Sequence, residues 1–484
     1  MTRARTGSHV ASGRAYSGCA SRPGALSRAK RVQYTACMAT AINPTAPVAP
    51  LVSEDAATVL NAHCHCTTLD LEVLHHELAG GQDSGLLRTL LQARPHLFST
   101  TPVFVSPAHV AAMTEVIAAV EATVSLPTYR AQVLQWAPAI AAHDFGPRGV
   151  FLGYDFHLDA CGAHLIEINI NAGGALLNAF LARAQQACCD DVGTVVGANR
   201  LEHAFFDMFA NEWRLQRGDA PLRRIAIVDT DPQSQYLQPE FLLFERLFNV
   251  RGIDAVIVDP AQLCARDGAL WVQDRRIDLV YNRLTDFALA APAHADLRDA
   301  YVRGEVVVTP HPRTHALYAD KRNLRVLSDP DWLRRLGVDE HRAAVLARSV
   351  PNTQAVTPAD AERFWSTRDN WFFKPFAGYG SKAVYRGDKL TRRVFAEIAQ
   401  GGYVAQAQVA PSERRARGGE TPQSFKMDWR HYVYDGAVQL LAARLYRGQT
   451  TNFRTEGGGF APVFYPRADA ASCMTTEGNA CARR

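Results

Sequence analysis

The segment from residue 153 to 174 constrains the fold of this chain more than any other, because it reads as two short strands joined by a turn. Its sequence is GYDFHLDACGAHLIEININAGG, in which polar and apolar residues alternate on both sides of a Cys-Gly pair. Side chains of a strand point alternately to its two faces, so Glu167, Asn169 and Asn171 share one face while the isoleucines pack on the other. If the two strands pair, Asp155 lies opposite this polar row.

The polar face of this hairpin supplies oxygen donors and no thiolate. The carboxylates of Asp155 and Glu167 and the amide of Asn169 suit a hard divalent cation, most simply Mg²⁺ held together with substrate phosphates. An edge hairpin with a solvated polar face would produce the same alternation. Asn and Asp are depleted in strands, which favours the metal site.

A second segment, residues 370–386, has the pattern of a strand that presents a lysine beside a glycine loop. It reads NWFFKPFAGYGSKAVYR: an apolar run ends in Lys374-Pro375, and a loop with Gly378 and Gly380 leads into a new strand. Backbone N–H groups and an exposed lysine in such a loop can enclose a triphosphate. The segment matches neither GxxxxGK[ST] nor GxGxxG before a helix. A tight β-turn with an exposed lysine would explain it as well.

Together the two segments resemble the ATP-grasp superfamily of carboxylate–amine ligases. A typical member has the lysine and glycine loop of its lid first, then an Asp-x-Arg strand, an Arg and an Asn, and finally an Asp…Glu-x-Asn segment. Here the Asp…Glu-x-Asn segment is residues 155–169 and precedes the lid, whereas Asp428-x-Arg430 follows the lid. This order resembles the circularly permuted members of the superfamily, such as glutathionylspermidine synthetase. The resemblance covers residues 149–464.

The resemblance implies that ATP and one or two Mg²⁺ ions, or Mn²⁺ in their place, bind between the lid and the polar hairpin. The metal ligands that it implies are Asp155, Glu167 and Asn169. Ala407 stands where an acidic residue is common, so the adenine and ribose contacts are unassigned and Glu413 is a candidate for the ribose. The implied ATP contacts come from the lid, the strand after it and an earlier Asp-Lys element: Lys321, Lys374, Gly378, Gly380, Ser381, Gln406, Val409 and Glu413.

The same resemblance implies a reaction. A substrate carboxylate would attack the γ-phosphate of ATP, and an amine or similar nucleophile would displace phosphate from the acyl phosphate. Arg444 would stabilise the transferring phosphoryl group, and Asn452 would lie near the metal. Asp428 and Arg430 are either site residues or a structural pair on a core strand. The alternatives are an ATP-grasp-like phosphotransferase and a nucleotide-binding protein that has lost catalysis.

Residues 224–281 predict a small doubly wound lobe, because short apolar strands such as RIAIVD and DAVIVD flank a helical stretch. Ligands of open α/β sheets bind outside the carboxyl ends of the strands. Asn282, Arg283 and Asp286 emerge at such an end and are candidates for substrate binding. Arg283 is either a clamp for a substrate carboxylate or a partner of Asp286 in a structural ion pair. Asp229 is a similar candidate at the end of the first strand.

The fold class that follows is α/β (α+β): an ATP-grasp fold with permuted strand order, a small parallel-sheet lobe like the one that precedes other ATP-grasp domains, a lid subdomain and a helix-rich N-terminal region. The predicted divisions run in chain order: a disordered or wrongly assigned leader at 1–45, the helix-rich region at 46–149, the transposed metal-binding part of the core at 150–200, the substrate lobe at 201–310, the lid and its entry at 311–411, the rest of the core at 412–465 and a disordered tail at 466–484.

The charge and the composition favour a protein that acts on small molecules. The net charge of +4 arises in residues 1–53, whose seven Lys and Arg are accompanied by no acid, so no nucleic-acid surface follows from it. The leader lacks the apolar core of a secretory signal, and no run approaches the roughly eighteen apolar residues of a membrane span. We therefore expect a cytoplasmic enzyme with reduced cysteines, small-molecule carboxylate and amine substrates, and no nucleic-acid or membrane partner. The oligomeric state is open.

Overall fold

The computed structural model describes residues 55–79, 85–187, 192–194, 198–378, 383–418 and 421–466. The predicted leader lies outside these residues, as does the predicted tail apart from its first residue. The strands are β1 Val103–Phe104, β2 Leu152–Asp159, β3 Gly162–Asn169, β4 Val192–Thr194, β5 Arg224–Val228, β6 Asp254–Val258, β7 Leu263–Arg266, β8 Ala269–Val272, β9 Arg275–Ile277, β10 Leu279–Asn282, β11 Val307–Thr309, β12 Thr353–Ala355, β13 Trp371–Pro375, β14 Tyr385–Arg386, β15 Tyr403–Ala407, β16 Ser412–Gly418, β17 Thr421–Tyr434, β18 Ala437–Tyr446, β19 Gly459–Ala461 and β20 Val463–Pro466. The α-helices are α1 Ala56–His63, α2 Leu71–Ala79, α3 Gly85–Gln92, α4 Pro107–Ser125, α5 Pro127–Leu134, α6 Ala175–Ala184, α7 Leu201–Arg217, α8 Gln238–Val250, α9 Ala295–Val302, α10 Pro312–Thr314, α11 Asn323–Leu327, α12 Pro330–Arg335, α13 Glu340–Ser349, α14 Ala361–Ser366 and α15 Arg392–Ile398.

The largest sheet is antiparallel and has the strand order β19-β18-β17-β2-β3, with β16 paired to the first half of β17. The predicted hairpin is β2 and β3, and Asp155 lies opposite Glu167 as expected. Because β2 pairs with β17, the hairpin shares a sheet with strands that come near the end of the chain. The turn of the hairpin contains Cys161, which is disulfide-bonded, so the expectation of reduced cysteines is wrong for this residue.

Helix α4 covers one face of the large sheet. Its buried residues Val116, Ile117 and Val120 belong to the same core cluster as Phe156 and Trp429 of the sheet. Among the described helices, α4 is long and apolar enough, by length and composition, to cross a membrane. The expectation that no segment approaches that limit is therefore wrong. The helix packs on the sheet because its apolar positions match the apolar face of β2 and β3.

A second antiparallel sheet, with the order β12-β15-β13-β14, occupies the segment predicted as the lid. It has its own small core, which contains Phe364, Phe373 and Phe395. Lys374 lies on β13 opposite Val404 of β15. The helices α10 to α13 lead into this sheet.

The predicted substrate lobe contains a sheet with the order β11-β10-β5-β6, in which all pairs are parallel. Val228 at the end of β5 pairs with Asn282 at the end of β10, so the residues that follow both strands meet at one edge. Two small sheets, β7-β8-β9 and β1-β20-β4, complete the described part of the chain. Mixed helices, parallel strands and antiparallel strands confirm the predicted α/β class.

Candidate active site

A β-bulge in the β2–β3 pairing allows Leu165 to lie in the core and Glu167 to lie at the candidate site. Asp155 pairs with Glu167, but the next pair is Phe156 with Leu165, so Ile166 is an extra residue. In a regular strand Leu165 and Glu167 would share a face. With the bulge, Leu165 is fully buried, whereas Glu167 is partly exposed on the opposite side. The bulge thus directs Glu167 away from the core and takes the Ile166 carbonyl out of the regular ladder.

Lys374 of the second sheet binds that carbonyl. Its Nζ donates to the carbonyl oxygen of Ile166 at 3.1 Å and to Oε1 of Gln406 at 2.6 Å, and Nε2 of Gln406 donates to the same carbonyl at 3.2 Å. The lysine is only 5% exposed, so the expectation of an exposed side chain is wrong. Burial lowers the pKa of Lys374 to about 8, against the attraction of Glu167. These bonds join the lid segment directly to the large sheet.

Lys321 brings a second ammonium group to Glu167. Its Nζ is 3.7 Å from Oε2 of Glu167 and donates to the carbonyl oxygen of Gly378 at 3.0 Å. Burial alone would raise the pKa of Glu167, but Lys321 and Lys374 outweigh it and hold this pKa at about 2. Glu167 is therefore ionised at every physiological pH.

The amide of Asn169 joins the two carboxylates of the hairpin. Its Nδ2 donates to Oδ2 of Asp155 and to Oε1 of Glu167, both at 3.1 Å. In the described residues no group of three or more His, Cys, Asp or Glu side chains could hold a metal ion. The candidate donors at this site are two carboxylates and one amide. Mg²⁺ commonly takes one or two carboxylates and completes its shell with water and phosphate oxygens. These donor types fit such an ion when a phosphorylated ligand accompanies it, provided that the Asn169 amide turns so that its oxygen, and not Nδ2, faces the ion.

Two arginines neutralise the buried side of the site. Arg430 donates to Asp155 through Nε and Nη2, both at 2.6 Å. Arg444 donates to Asp428 through Nε at 2.8 Å and Nη2 at 3.0 Å, and its Nη2 also lies 3.1 Å from Asp155. Burial lowers the pKa of Arg444, but Asp155 and Asp428 outweigh it and the net shift is upward. Asp428 and Arg430 thus do not pair with each other, and both belong to one network across three strands.

We expect Arg430→Met to lower the free energy of unfolding by about 3 kcal/mol, because it leaves the buried Asp155 carboxylate without its bidentate partner. Urea unfolding measures the change. Arg334→Met is the matched control, since Arg334 pairs with Asp331 at the surface and such pairs contribute about 0–1 kcal/mol. Equal losses for the two variants would mean that the Arg430–Asp155 pair contributes no more than a surface pair.

Asn452, predicted to lie near the metal, hydrogen-bonds within its own loop, residues 447–455. Its Nδ2 donates to two backbone carbonyls of that loop, and its Oδ1 accepts from a backbone N–H and a threonine hydroxyl. The neighbouring Thr451 donates its hydroxyl to Asp428, which attaches the loop to the arginine network. These bonds give Asn452 a place in the loop, and its metal role stays a prediction.

The strand predicted to follow the lid loop, residues 403–409, contains β15 and is called the hinge segment below. The carbonyl of Val409 lies 3.0 Å from Nδ1 of His157, a residue that the sequence analysis did not select. Alternation along β2 could have found His157, because it lies two residues from Asp155. Glu413 is exposed and accepts a bond from a serine of the neighbouring strand β17. Gly380 and Ser381 lie outside the described residues.

The three substrate candidates of the parallel lobe are bonded within the protein. Arg283 donates from Nη1 to the carbonyl of Asn171 at 3.3 Å and to the hydroxyl of Tyr281 at 3.1 Å, which links the lobe to the end of the hairpin. The Arg283–Asp286 ion pair considered above does not form. Asp286 accepts instead from a backbone N–H and lies 2.8 Å from a histidine nitrogen. Asn282 bonds to two backbone groups nearby.

Asp229, at the carboxyl end of β5, provides a test of the electrostatics of this edge. Burial raises the pKa of Asp229 to about 6, although Arg283 partly opposes the shift. Because the folded-state pKa lies above the unfolded one, the ionised group destabilises the fold at high pH, and this penalty disappears as the pH falls toward 4. We expect Asp229→Asn to raise the free energy of unfolding at pH 8 by roughly 1–2 kcal/mol and to have little effect near pH 4.

Urea unfolding at the two pH values measures the effect of Asp229→Asn. The exposed Asp219→Asn serves as the control for loss of one surface charge. A gap between Asp229→Asn and the wild type that does not change with pH would show that burial of the Asp229 carboxylate does not affect stability.

Comparisons with known proteins find similarity at the level of structure. No protein-family model matches the chain, and no curated protein does. A glutathione synthetase-like effector from Globodera pallida is 13% identical, with a TM-score of 0.47 over 79% of this chain and 98% of that chain. A candidate gamma-glutamylcysteine synthetase from Methylobacillus flagellatus is 11% identical, with a TM-score of 0.42 over 75% and 87%. The ATP-grasp ligase PsnB with a minimal precursor is 13% identical, with a TM-score of 0.28 over 52% and 91%.

The architecture of the described residues combines two antiparallel sheets with a parallel α/β lobe. A large antiparallel sheet carries the acidic hairpin, a smaller antiparallel sheet carries Lys374, and a parallel α/β lobe accompanies both. Lys374 and Glu167, which belong to different sheets, interact electrostatically within one cluster of charged side chains.

Proposed function

We propose that this protein is an ATP- and magnesium-dependent ligase that joins a carboxylate to an amine, or to a similar nucleophile, through an acyl-phosphate intermediate. The observation that carries the proposal is the meeting of Lys321 and Lys374 with the Glu167 carboxylate and its neighbour Asn169. Transfer of a phosphoryl group needs cations around the phosphates and reactants held in line. The cluster that joins two buried ammonium groups to oxygen donors would supply the first requirement.

The lysines would bind phosphate oxygens. Lys374 would exchange the carbonyl of Ile166 for a phosphate oxygen, and Lys321 would do the same with the carbonyl of Gly378. An ammonium bound to a carbonyl is compact, charged and already oriented, so little rearrangement is needed. The position of the hairpin before the lid supports a circularly permuted ATP-grasp arrangement.

The acidic hairpin would hold the metal through Asp155, Glu167 and Asn169. When bound, Mg²⁺ would supply charge neutralisation on the phosphate oxygens. Arg444 would stabilise the phosphoryl group in transfer. Its two ion pairs use Nε and Nη2, so Nη1 is not engaged in either of them.

The proposed reaction has two steps. A carboxylate oxygen of the substrate attacks the γ-phosphorus, and the bond from that phosphorus to the bridging oxygen breaks, which releases ADP. An amine nitrogen then attacks the acyl carbon and loses a proton, while phosphate leaves. The residues of this chain orient the groups and balance negative charge in both steps, with small-molecule substrates acting in the cytoplasm.

A screen for ATP turnover against pairs of carboxylates and amines tests the proposal, with mass analysis of the product. Hydroxylamine in place of the amine converts an acyl phosphate to a hydroxamate, so it reports the first step before the natural amine is known. We expect hydroxamate and ADP in equal amounts with a productive carboxylate. A phosphorylated small molecule without amide formation would instead indicate a phosphotransferase, and nucleotide binding without any turnover would indicate a protein that has lost catalysis.

A further inference from the structure

His157 lies beside the candidate site and has no part in any of the proposed roles. It lies on β2 two residues after Asp155, and the residues on either side of it, Phe156 and Leu158, are buried in the core. Alternation therefore places His157 and Asp155 on the face that carries the site. The ring of His157 contacts the carbonyl of Val409, next to β15, which pairs with the strand that carries Lys374.

The hinge carbonyl sets the hydrogen-bonding state of the ring. Nδ1 of His157 lies 3.0 Å from the carbonyl oxygen of Val409, which follows β15. A carbonyl only accepts, so Nδ1 carries the proton in this contact. In the neutral imidazole Nε2 is then an acceptor. The residue that follows is also attached to this segment, because Ser412 donates its hydroxyl to the carbonyl of Leu158 at 2.9 Å.

The side-chain acceptors of the hinge segment and of Glu413 lie on other strands and loops than Asp155. Gln406 is engaged with Lys374 and with a backbone carbonyl, and Gln408 donates to two backbone carbonyls. Ala407 is apolar, and the exposed Glu413 accepts from a serine of β17. His157 differs from them in lying on the strand that carries Asp155 while its ring contacts the hinge carbonyl, so Nε2 is an acceptor next to both.

We propose that Nε2 of His157 accepts a hydrogen bond from a ribose hydroxyl of the bound nucleotide. The inference rests on the proposed function, since it requires a nucleotide bound at Lys321, Lys374 and Glu167. A strand advances about 3.3 Å per residue, so His157 is about 7 Å along β2 from Asp155, on the hinge side of the phosphate-binding groups. Phosphate oxygens are themselves acceptors and do not suit Nε2, whereas a ribose hydroxyl donates.

Equilibrium binding of ATP, 2′-deoxy-ATP, 3′-deoxy-ATP and ITP, each with Mg²⁺, tests the inference by calorimetry without any turnover. We expect the wild type to prefer ATP over one deoxy analogue by about tenfold, the usual worth of one hydrogen bond. His157→Phe and His157→Asn should bind ATP and that analogue equally. The Asn variant keeps a donor for the Val409 carbonyl but places no acceptor at the position of Nε2. His157→Gln should retain part of the preference.

His164→Gln is the matched control, because His164 faces His157 across the β2–β3 ladder but contacts Asp159 instead of the hinge. It should keep the wild-type preference. No ribose preference in the wild type, or an unchanged preference in His157→Phe and His157→Asn, would overturn the inference while leaving ATP binding in place. A His157-dependent preference for ATP over ITP alone would assign the contact to adenine and also overturn it. Absence of ATP binding by the wild type would remove the proposed function together with the inference.

Discussion

Glu167→Gln is expected to lower the rate of magnesium-dependent ATP turnover by a factor of about 100 to 1000. This factor corresponds to an increase of about 3–4 kcal/mol in the activation barrier. The substitution keeps the shape of the side chain and removes one negative charge from the metal site. It also leaves Lys321 and Lys374, the two lysines that hold the pKa of Glu167 at about 2, without their carboxylate partner. The measurement is ADP release as a function of Mg²⁺ concentration, with the melting temperature recorded in parallel.

Glu121→Gln is the matched control for Glu167→Gln. Glu121 is also a largely enclosed carboxylate, but it accepts hydrogen bonds from the hydroxyls of Tyr154 and Tyr318 and lies on α4, behind the large sheet. Its variant should turn over ATP like the wild type. Wild-type turnover in a folded Glu167→Gln protein would exclude Glu167 as a metal ligand. Failure of this variant to fold would assign Glu167 a structural role instead.

Lys374→Met is expected to weaken the binding of Mg-ATP by about a hundredfold, because truncating one partner of a buried, charged hydrogen bond costs about 2–5 kcal/mol. Methionine fills a similar volume without the charge. We expect only a small change in melting temperature, since loss of the bonds to Ile166 and Gln406 is offset by removal of a buried charge whose pKa the fold lowers to about 8. Calorimetric titration with Mg-ATP measures the affinity.

Lys389→Met provides the control for loss of a positive charge. Lys389 is exposed beside Asp388, in the helical turn that follows β14. Its variant should bind Mg-ATP with the wild-type affinity. If Lys374→Met also binds with that affinity, Lys374 has no part in the nucleotide site, and its contact with the bulge is purely structural.

Local sequence patterns were sufficient to predict the acidic hairpin. Alternation with a period of two placed Asp155, Glu167 and Asn169 on one face, and the structure brings their side chains within hydrogen-bonding reach of one another. The parallel strands of the lobe were recognisable for the same reason, because short apolar runs bounded by polar turns do not depend on distant residues.

The ionic partners of these residues could not be predicted from local patterns. Asp428 and Arg430 lie two positions apart on β17, which suggested that they might bond to each other. The structure pairs Asp428 with Arg444 and Arg430 with Asp155, because the neighbours of β17 in the sheet are β18 and β2. Strand order is set by contacts between segments that are far apart in the chain.

The sequence by itself determined which residues form the polar face of the hairpin, since alternation is a property of each strand alone. It also determined that Lys374 and the glycine loop after it belong to one segment. Only the tertiary structure decided that Ile166 bulges from the ladder and that Lys374 is buried against its carbonyl. A bulge depends on the register of two strands, and burial depends on a second sheet packed over the first, so neither is encoded in the spacing of residues along one strand.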